Sequence, residues 1–217
     1  TEENTLSLHD ALPIFDSINA TPATICAGES TVLNVYSAGL GSGPQTQPTG
    51  YLSSSATDID DEELLNVTFG TLNNTSTCAT TGGGSSVLNM YSDFTGLVAA
   101  PTVTAGASVP FSIQTGTCLG NWTNRCTIYI DWNRDGDFLD ANENPFISTA
   151  VSGPNTVTGT ITVPLTASAG VTRMRVITVE TSGVILSTGT YTWGETEDYI
   201  VNVIGVAPQD PTKTYAW

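Results

Sequence analysis

The sequence predicts an all-β protein: an antiparallel β-sandwich of jelly-roll or immunoglobulin-like type, with an N-terminal arm and a C-terminal tail. Three observations point there. Strand-like segments of alternating apolar and polar residues recur with Gly, Pro, Asn and Ser clusters between them. No stretch carries a 3.6-residue apolar period. The composition is rich in Thr, Ser, Gly and Asn, with only 12% charged residues, which suits strands with Thr-covered solvent faces.

Taken in order, residues 1–50 read as an arm and a linker. Leu6, Leu8, Leu12, Ile14 and Phe15 make the start apolar without a fold of its own, and Thr1 is expected to be a mature or trimmed start. A strand is expected over 31–36, and the Gly-, Pro-, Ser- and Gln-rich stretch 39–50 reads as a linker. From Tyr51 to Ile204 the strand candidates are 64–69, 87–91, 109–114, 126–131, 156–163, 172–180, 184–187 and 199–204. Residues 205–217 form the tail. The acidic run 58–63 at the domain entry reads as a solvated loop. Arg173 and Arg175 lie on one side of the 172–180 strand and are expected to meet the acidic loops.

The net charge is −16, from 21 acidic and 5 basic residues. Nucleic acid and anionic membrane surfaces are therefore excluded as natural partners, and divalent cations are the natural counter-charge. No run of about 18 apolar residues is present, so no membrane insertion is expected. Four cysteines suit an oxidising compartment. Cys118 with Cys126 is the first pairing expected, as a loop-closing bridge, and Cys26 with Cys78 follows by elimination.

The most informative stretch is 127–140. It starts as a strand at Thr127, Tyr129 and Asp131, then places oxygen side chains at every second position: Asp131, Asn133, Asp135 and Asp137, with Gly136 among them. Hard cations such as Ca²⁺ take six to eight oxygens from this kind of loop. The helix–loop–helix calcium pattern is not completed, since its final acid would fall on Asn142 and the acids are Asp140 and Glu143. The plain alternative is a solvated acidic turn. A second acidic stretch, Glu195, Glu197 and Asp198, precedes the last strand candidate. If strand ends gather at one pole, these acids join the loop as Ca²⁺ ligands.

Three motifs in this order resemble the GEVED domain family of bacterial secreted and cell-surface proteins, over about residues 51–204. They are Tyr129-Ile130-Asp131-Trp132-Asn133-Arg134-Asp135-Gly136-Asp137-Phe138, then Gly170-Val171-Thr172-Arg173-Met174-Arg175-Val176, then Gly194-Glu195-Thr196-Glu197-Asp198-Tyr199. Thr196 stands where the family name has Val. The resemblance implies a β-sandwich module, extracellular or on the cell surface, without an established catalytic activity.

The residues agree in disfavouring catalysis. His9 is the only histidine and sits in the arm, so a Ser-His-Asp centre has no base. A carboxylate pair could hydrolyse glycosides, but acids on such a loop are better explained as metal ligands. The reading is a Ca²⁺-binding structural subunit of a surface fibre or adhesin, its copies joined head to tail by strand donation from 31–36 or 212–217. The alternative is a carbohydrate-binding module, with Trp122 and Tyr191 as stacking platforms for glycans.

Overall fold

A computed structural model describes residues 17–21, 32–36, 43–60 and 62–205. The strands in chain order are β1 (Ser17–Thr21), β2 (Val32–Tyr36), β3 (Ser54–Ala56), β4 (Glu62–Phe69), β5 (Leu72–Thr75), β6 (Tyr91–Asp93), β7 (Thr102–Thr104) and β8 (Ser108–Thr117). They continue as β9 (Thr123–Ile130), β10 (Phe146–Ile147), β11 (Val151–Ser152), β12 (Asn155–Thr162), β13 (Gly170–Val179), β14 (Gly189–Tyr191) and β15 (Gly194–Ile204). No helix occurs among the described residues.

Two sheets make the sandwich. One runs β10-β9-β13-β15-β6, with β11 also on β9 and β7 also on β15; the other runs β12-β8-β4-β5. The long pairings are antiparallel, while β6 and β7 join β15 in parallel. Period-two alternation places one side chain in two between the sheets. Val67 and Phe69 of β4, Phe111 and Ile113 of β8, Ile128 and Ile130 of β9, Met174 and Val176 of β13, and Tyr199, Val201 and Val203 of β15 form this core.

The opposite face of the first sheet is also covered. Tyr129, Ile177 and Val179 point that way and meet Phe138 and Ile185, with Tyr51 and Tyr191 packed alongside. A parallel pair, β3 with β14, lies beside the start of β15, where Ser54 and Thr196 share a hydrogen bond of 2.9 Å. That extra layer buries groups which a bare sheet would leave in water.

Several expectations change. The disulfide joins Cys78 to Cys118, with Cα atoms 5.8 Å apart, so neither Cys118–Cys126 nor Cys26–Cys78 forms. The reason is strand alternation: Cys126 faces inward in β9 with Ile128 and Ile130 and stays a free buried thiol. Cys118 instead follows the end of β8, beside the loop after β5 that carries Cys78. Burial pushes the Cys126 thiol up to about 11. Cys26 lies outside the described residues.

The strand expected alone at 31–36 is paired: β2 lies antiparallel to β1 in a two-stranded sheet of its own. Residues 184–187 are not a strand, and β14 follows them. The acidic run ends inside β4, where Glu62 and Glu63 are buried. Residues 43–50, read as linker, lie against the sandwich, with Pro44 accepting from Val171 N and Gln47 accepting from Arg173 Nε.

Candidate metal centre

The loop 131–143 leaves β9 and is organised by two buried acids. Asp131 Oδ1 accepts from the amides of Arg134 (2.6 Å) and Asp135 (3.3 Å), and Oδ2 accepts from Gly136 N (3.1 Å) and the Tyr51 hydroxyl (2.5 Å). Glu143 accepts from Trp132 N (3.0 Å), Asn133 N (3.5 Å) and Asp140 N (3.2 Å). Burial pushes the Glu143 carboxyl up to about 7, although the amide bonds oppose it. Both acids therefore act as internal caps for loop amides that would otherwise lack partners.

Gly136 is required twice. Its φ is +97°, and a Cβ there would stand 2.4 Å from the Thr49 carbonyl oxygen. Arg134 adds a second tie to the same segment, donating to Thr46 O at 3.0 Å and to Val171 O at 3.1 Å. Phe138 plugs the loop into the outer apolar cluster, 5.2 Å from the Tyr51 ring and 6.0 Å from the Tyr129 ring.

What remains at the surface is a triad of carboxylates. Asp135, Asp137 and Asp140 each bring an oxygen to within 4.8 Å of the others. Two oxygens bound to one Ca²⁺ at about 2.4 Å stand at most about 4.8 Å apart, so the spacing fits a single ion. Asn133 bridges the triad, its amide donating to Asp135 Oδ2 at 2.9 Å and Asp140 Oδ2 at 2.8 Å. At Asp135 a slight desolvation opposes ionisation, but hydrogen bonds from Asn133 and the Asp137 amide outweigh it and hold the carboxyl below its ordinary range. The donor set is all oxygen, charged and half-open, which suits a hard cation.

Glu195, Glu197 and Asp198 do not join this centre. They lie inside β15, not in a loop before it. Register gives the separation: Glu195 is opposite Thr178, and Thr178 opposite Cys126, five residues before Asp131. That is roughly 16 Å along the sheet for Glu195; Asp198, in line with Tyr129, is nearer but is engaged by Arg175 and Arg173. Gly194 opens the strand at φ +140°, where a Cβ would stand 2.1 Å from Thr178 O.

Alternation then splits the three acids between two faces. Asp198 points to the outer layer, where Arg175 holds both its oxygens at 2.7 and 2.8 Å. Arg173 (3.2 Å) and the Tyr91 hydroxyl (3.1 Å) complete the set. Arg175 also donates to Leu52 O and Ser187 O, so its buried charge makes four hydrogen bonds. The two arginines expected to meet acidic loops meet this acid instead.

Glu195 and Glu197 point inward. Glu195 accepts from Leu64 N at 3.1 Å and Ser92 Oγ at 3.0 Å. Glu197 accepts from Ser76 Oγ at 3.2 Å and the Tyr199 hydroxyl at 2.5 Å. Glu63 comes in from β4, and all three are 0% exposed. Among the described residues the ion pairs are those of Arg173 and Arg175 with Asp198, so none neutralises this trio. Burial, and then the Glu195 charge, push the Glu63 carboxyl up to about 10. Burial raises Glu195, and burial with the Glu195 charge raises Glu197 well above its usual range. Burial and mutual repulsion thus favour the protonated form in this trio, most of all at Glu63 and Glu197.

Trp122 is half-exposed at 50%, its indole nitrogen 2.6 Å from where a Cβ on Gly120 would stand. Tyr191 is committed elsewhere: it packs in the outer cluster and its hydroxyl meets Thr196 Oγ1 at 2.7 Å. The residues that motif reading missed are Tyr51 and Glu63. Their signals were weak: an aromatic after a Pro/Gly stretch and one acid at the end of a run.

Fold and loop together define an all-β sandwich with an oxygen-rich acidic loop at the exit of one central strand. Residues 125–202 match the GEVED domain family, which spans the structure from within β9 to within β15. Among solved structures, the chain is similar to the CARDB domain of a Pyrococcus furiosus protein in complex with di-metal ions. That similarity is 13% identity at a TM-score of 0.31, over 48% of this chain and 81% of that one. No curated protein matches the chain. No helix among the described residues is long and apolar enough to cross a membrane.

Proposed function

We propose that this chain is a non-catalytic, Ca²⁺-binding structural module of an extracellular or cell-surface bacterial fibre or adhesin. The observation that carries the reading is the triad Asp135, Asp137 and Asp140, with mutually close oxygens on a loop pinned by Asp131, Glu143 and Gly136. Asn133 would complete the ligand set by turning its amide oxygen inward. The ion would cancel repulsion among three surface carboxylates and stiffen the loop, adding stability by mass action. The disulfide supports an oxidising compartment. The acids that could have formed a hydrolytic pair are enclosed between the sheets, where no substrate reaches Glu195 or Glu197.

Thermal unfolding in excess Ca²⁺ and in excess chelator tests this. Melting should rise with Ca²⁺ in the parent and stay flat in the Asp135→Asn/Asp137→Asn variant; equal melting of the parent in both buffers contradicts the reading. Negative-stain images at high concentration test self-assembly. A second reading, a carbohydrate-binding module, is favoured by the exposed Trp122 ring, and a glycan array with Trp122→Ala tests it.

A further inference from the structure

β12 is the outermost strand of its sheet and pairs on one side only, with β8 over all eight residues. Its far side presents a row of backbone N–H and C=O groups with no strand beside it among the described residues. Long edges of this kind are usually blunted by Lys, by Pro within the strand or by a charge. β12 has none of these, and the chain from Asn144 to Thr172 contains no charged residue. On a protein of net charge −16, this is a stretch where a second copy can approach without like-charge repulsion.

A second observation supplies the occupant. Among the described residues, β1 and β2 pair only with each other and join neither sheet of the sandwich. Their ten residues also carry no charge. A two-stranded sheet alone in water is marginal and gains stability from a third strand.

We infer that β12 is an acceptor edge to which the β1–β2 pair of a second copy adds, widening the four-stranded sheet to six strands. The inference rests on the self-assembly reading above and names the surfaces it would use. Main-chain hydrogen bonds to the β12 edge supply the affinity, and absence of charge on both partners permits the approach. Donor and acceptor are different surfaces, so each copy offers one of each and the contact repeats head to tail.

Sedimentation velocity on the full chain over a range of concentrations tests this, with three variants. Val35→Pro removes a backbone donor from the β1–β2 pair. Thr158→Lys/Thr160→Lys places charge on the acceptor edge, and Thr158→Pro is an independent lesion there. Circular dichroism and melting establish which variants keep the parent fold. The parent should grow in mass with concentration, and each folded variant should associate about tenfold or more weakly. Mixing the donor variant with an acceptor variant should restore association, but only as far as one-to-one pairs. A parent that stays monomeric overturns both this inference and the fibre reading. Undiminished assembly by the acceptor variants overturns the assignment of β12 while leaving the fibre reading intact. Loss in the acceptor variants with full assembly of Val35→Pro shows β12 pairing with β12, and overturns the donor.

Discussion

In the loop 131–143 the carboxylates of Asp135, Asp137 and Asp140 face outward around a shared space, while Asp131 and Glu143 turn inward to cap amides. In β15 the carboxylates of Glu195, Glu197 and Asp198 are all sealed from water, each with protein donors in place. The two regions solve charge crowding by different physics. The loop turns three of its acids outward around a shared space that leaves room for a cation. The strand uses an arginine on one face and, on the other, burial that favours the protonated carboxyl together with hydrogen bonds. An acidic cluster is a candidate metal centre only where its oxygens converge; crowding alone does not make one.

The largest effect expected from this contrast is at Asp198. Its removal in Asp198→Ala leaves Arg175 buried without its partner, which costs about 3–5 kcal/mol. Denaturant unfolding should show that loss equally with and without Ca²⁺. A paired replacement, Arg175→Met with Asp198→Leu, should recover most of it. In the loop, by comparison, Ca²⁺ at a hundredfold over its dissociation constant should add about 2.7 kcal/mol. Asp135→Asn/Asp137→Asn should abolish that gain while changing metal-free stability by no more than about 1 kcal/mol.

The pH dependence sharpens the contrast further. A carboxyl raised in the folded state stabilises fully below its ordinary range, and that contribution is lost as pH rises through the raised value. For Glu63 the window runs from the usual carboxylate range to about 10. Stability should therefore fall from mildly acidic to alkaline pH, with a shallower slope in Glu63→Gln, whose amide imitates the protonated acid. An unchanged slope would mean that the trio is not held together by protons. The smallest effect is expected at Trp122, where Trp122→Ala should shift stability by no more than about 0.5 kcal/mol. A loss of glycan binding in that variant would favour the carbohydrate-binding reading.

Much of this architecture follows from local pattern. Alternation locates β4, β8, β9, β12 and β13 to within a few residues, because each buries one face against the opposite sheet. The crowding of oxygen side chains in the loop was legible for the same reason, since spacing and a Gly at position 136 are local facts; that Asp131 and Glu143 turn inward to cap amides was not. The role of Glu195, Glu197 and Asp198 was not: acids just before an apolar run read as a loop at the strand end, and so as ligands joining the 131–143 loop, whereas they lie inside β15. Only the pairing of β15 with β13 and the layer formed by β3 and β14 make that segment interior. The cysteine pairing failed similarly, because it depends on which face of β9 turns inward and on the meeting of two remote loops. Tyr51 and residues 43–50 were hidden because a Pro/Gly/Gln-rich stretch carries no periodicity to reveal what it lies against.

The central question is where a divalent ion binds. Calorimetric titration of Ca²⁺ into the parent, Asp135→Asn/Asp137→Asn and Glu197→Gln addresses this directly. Binding heat in the parent and in Glu197→Gln, and none in the loop variant, is the predicted result. Binding that survives the loop substitutions but disappears with Glu197→Gln, or its absence from the parent, would contradict the account.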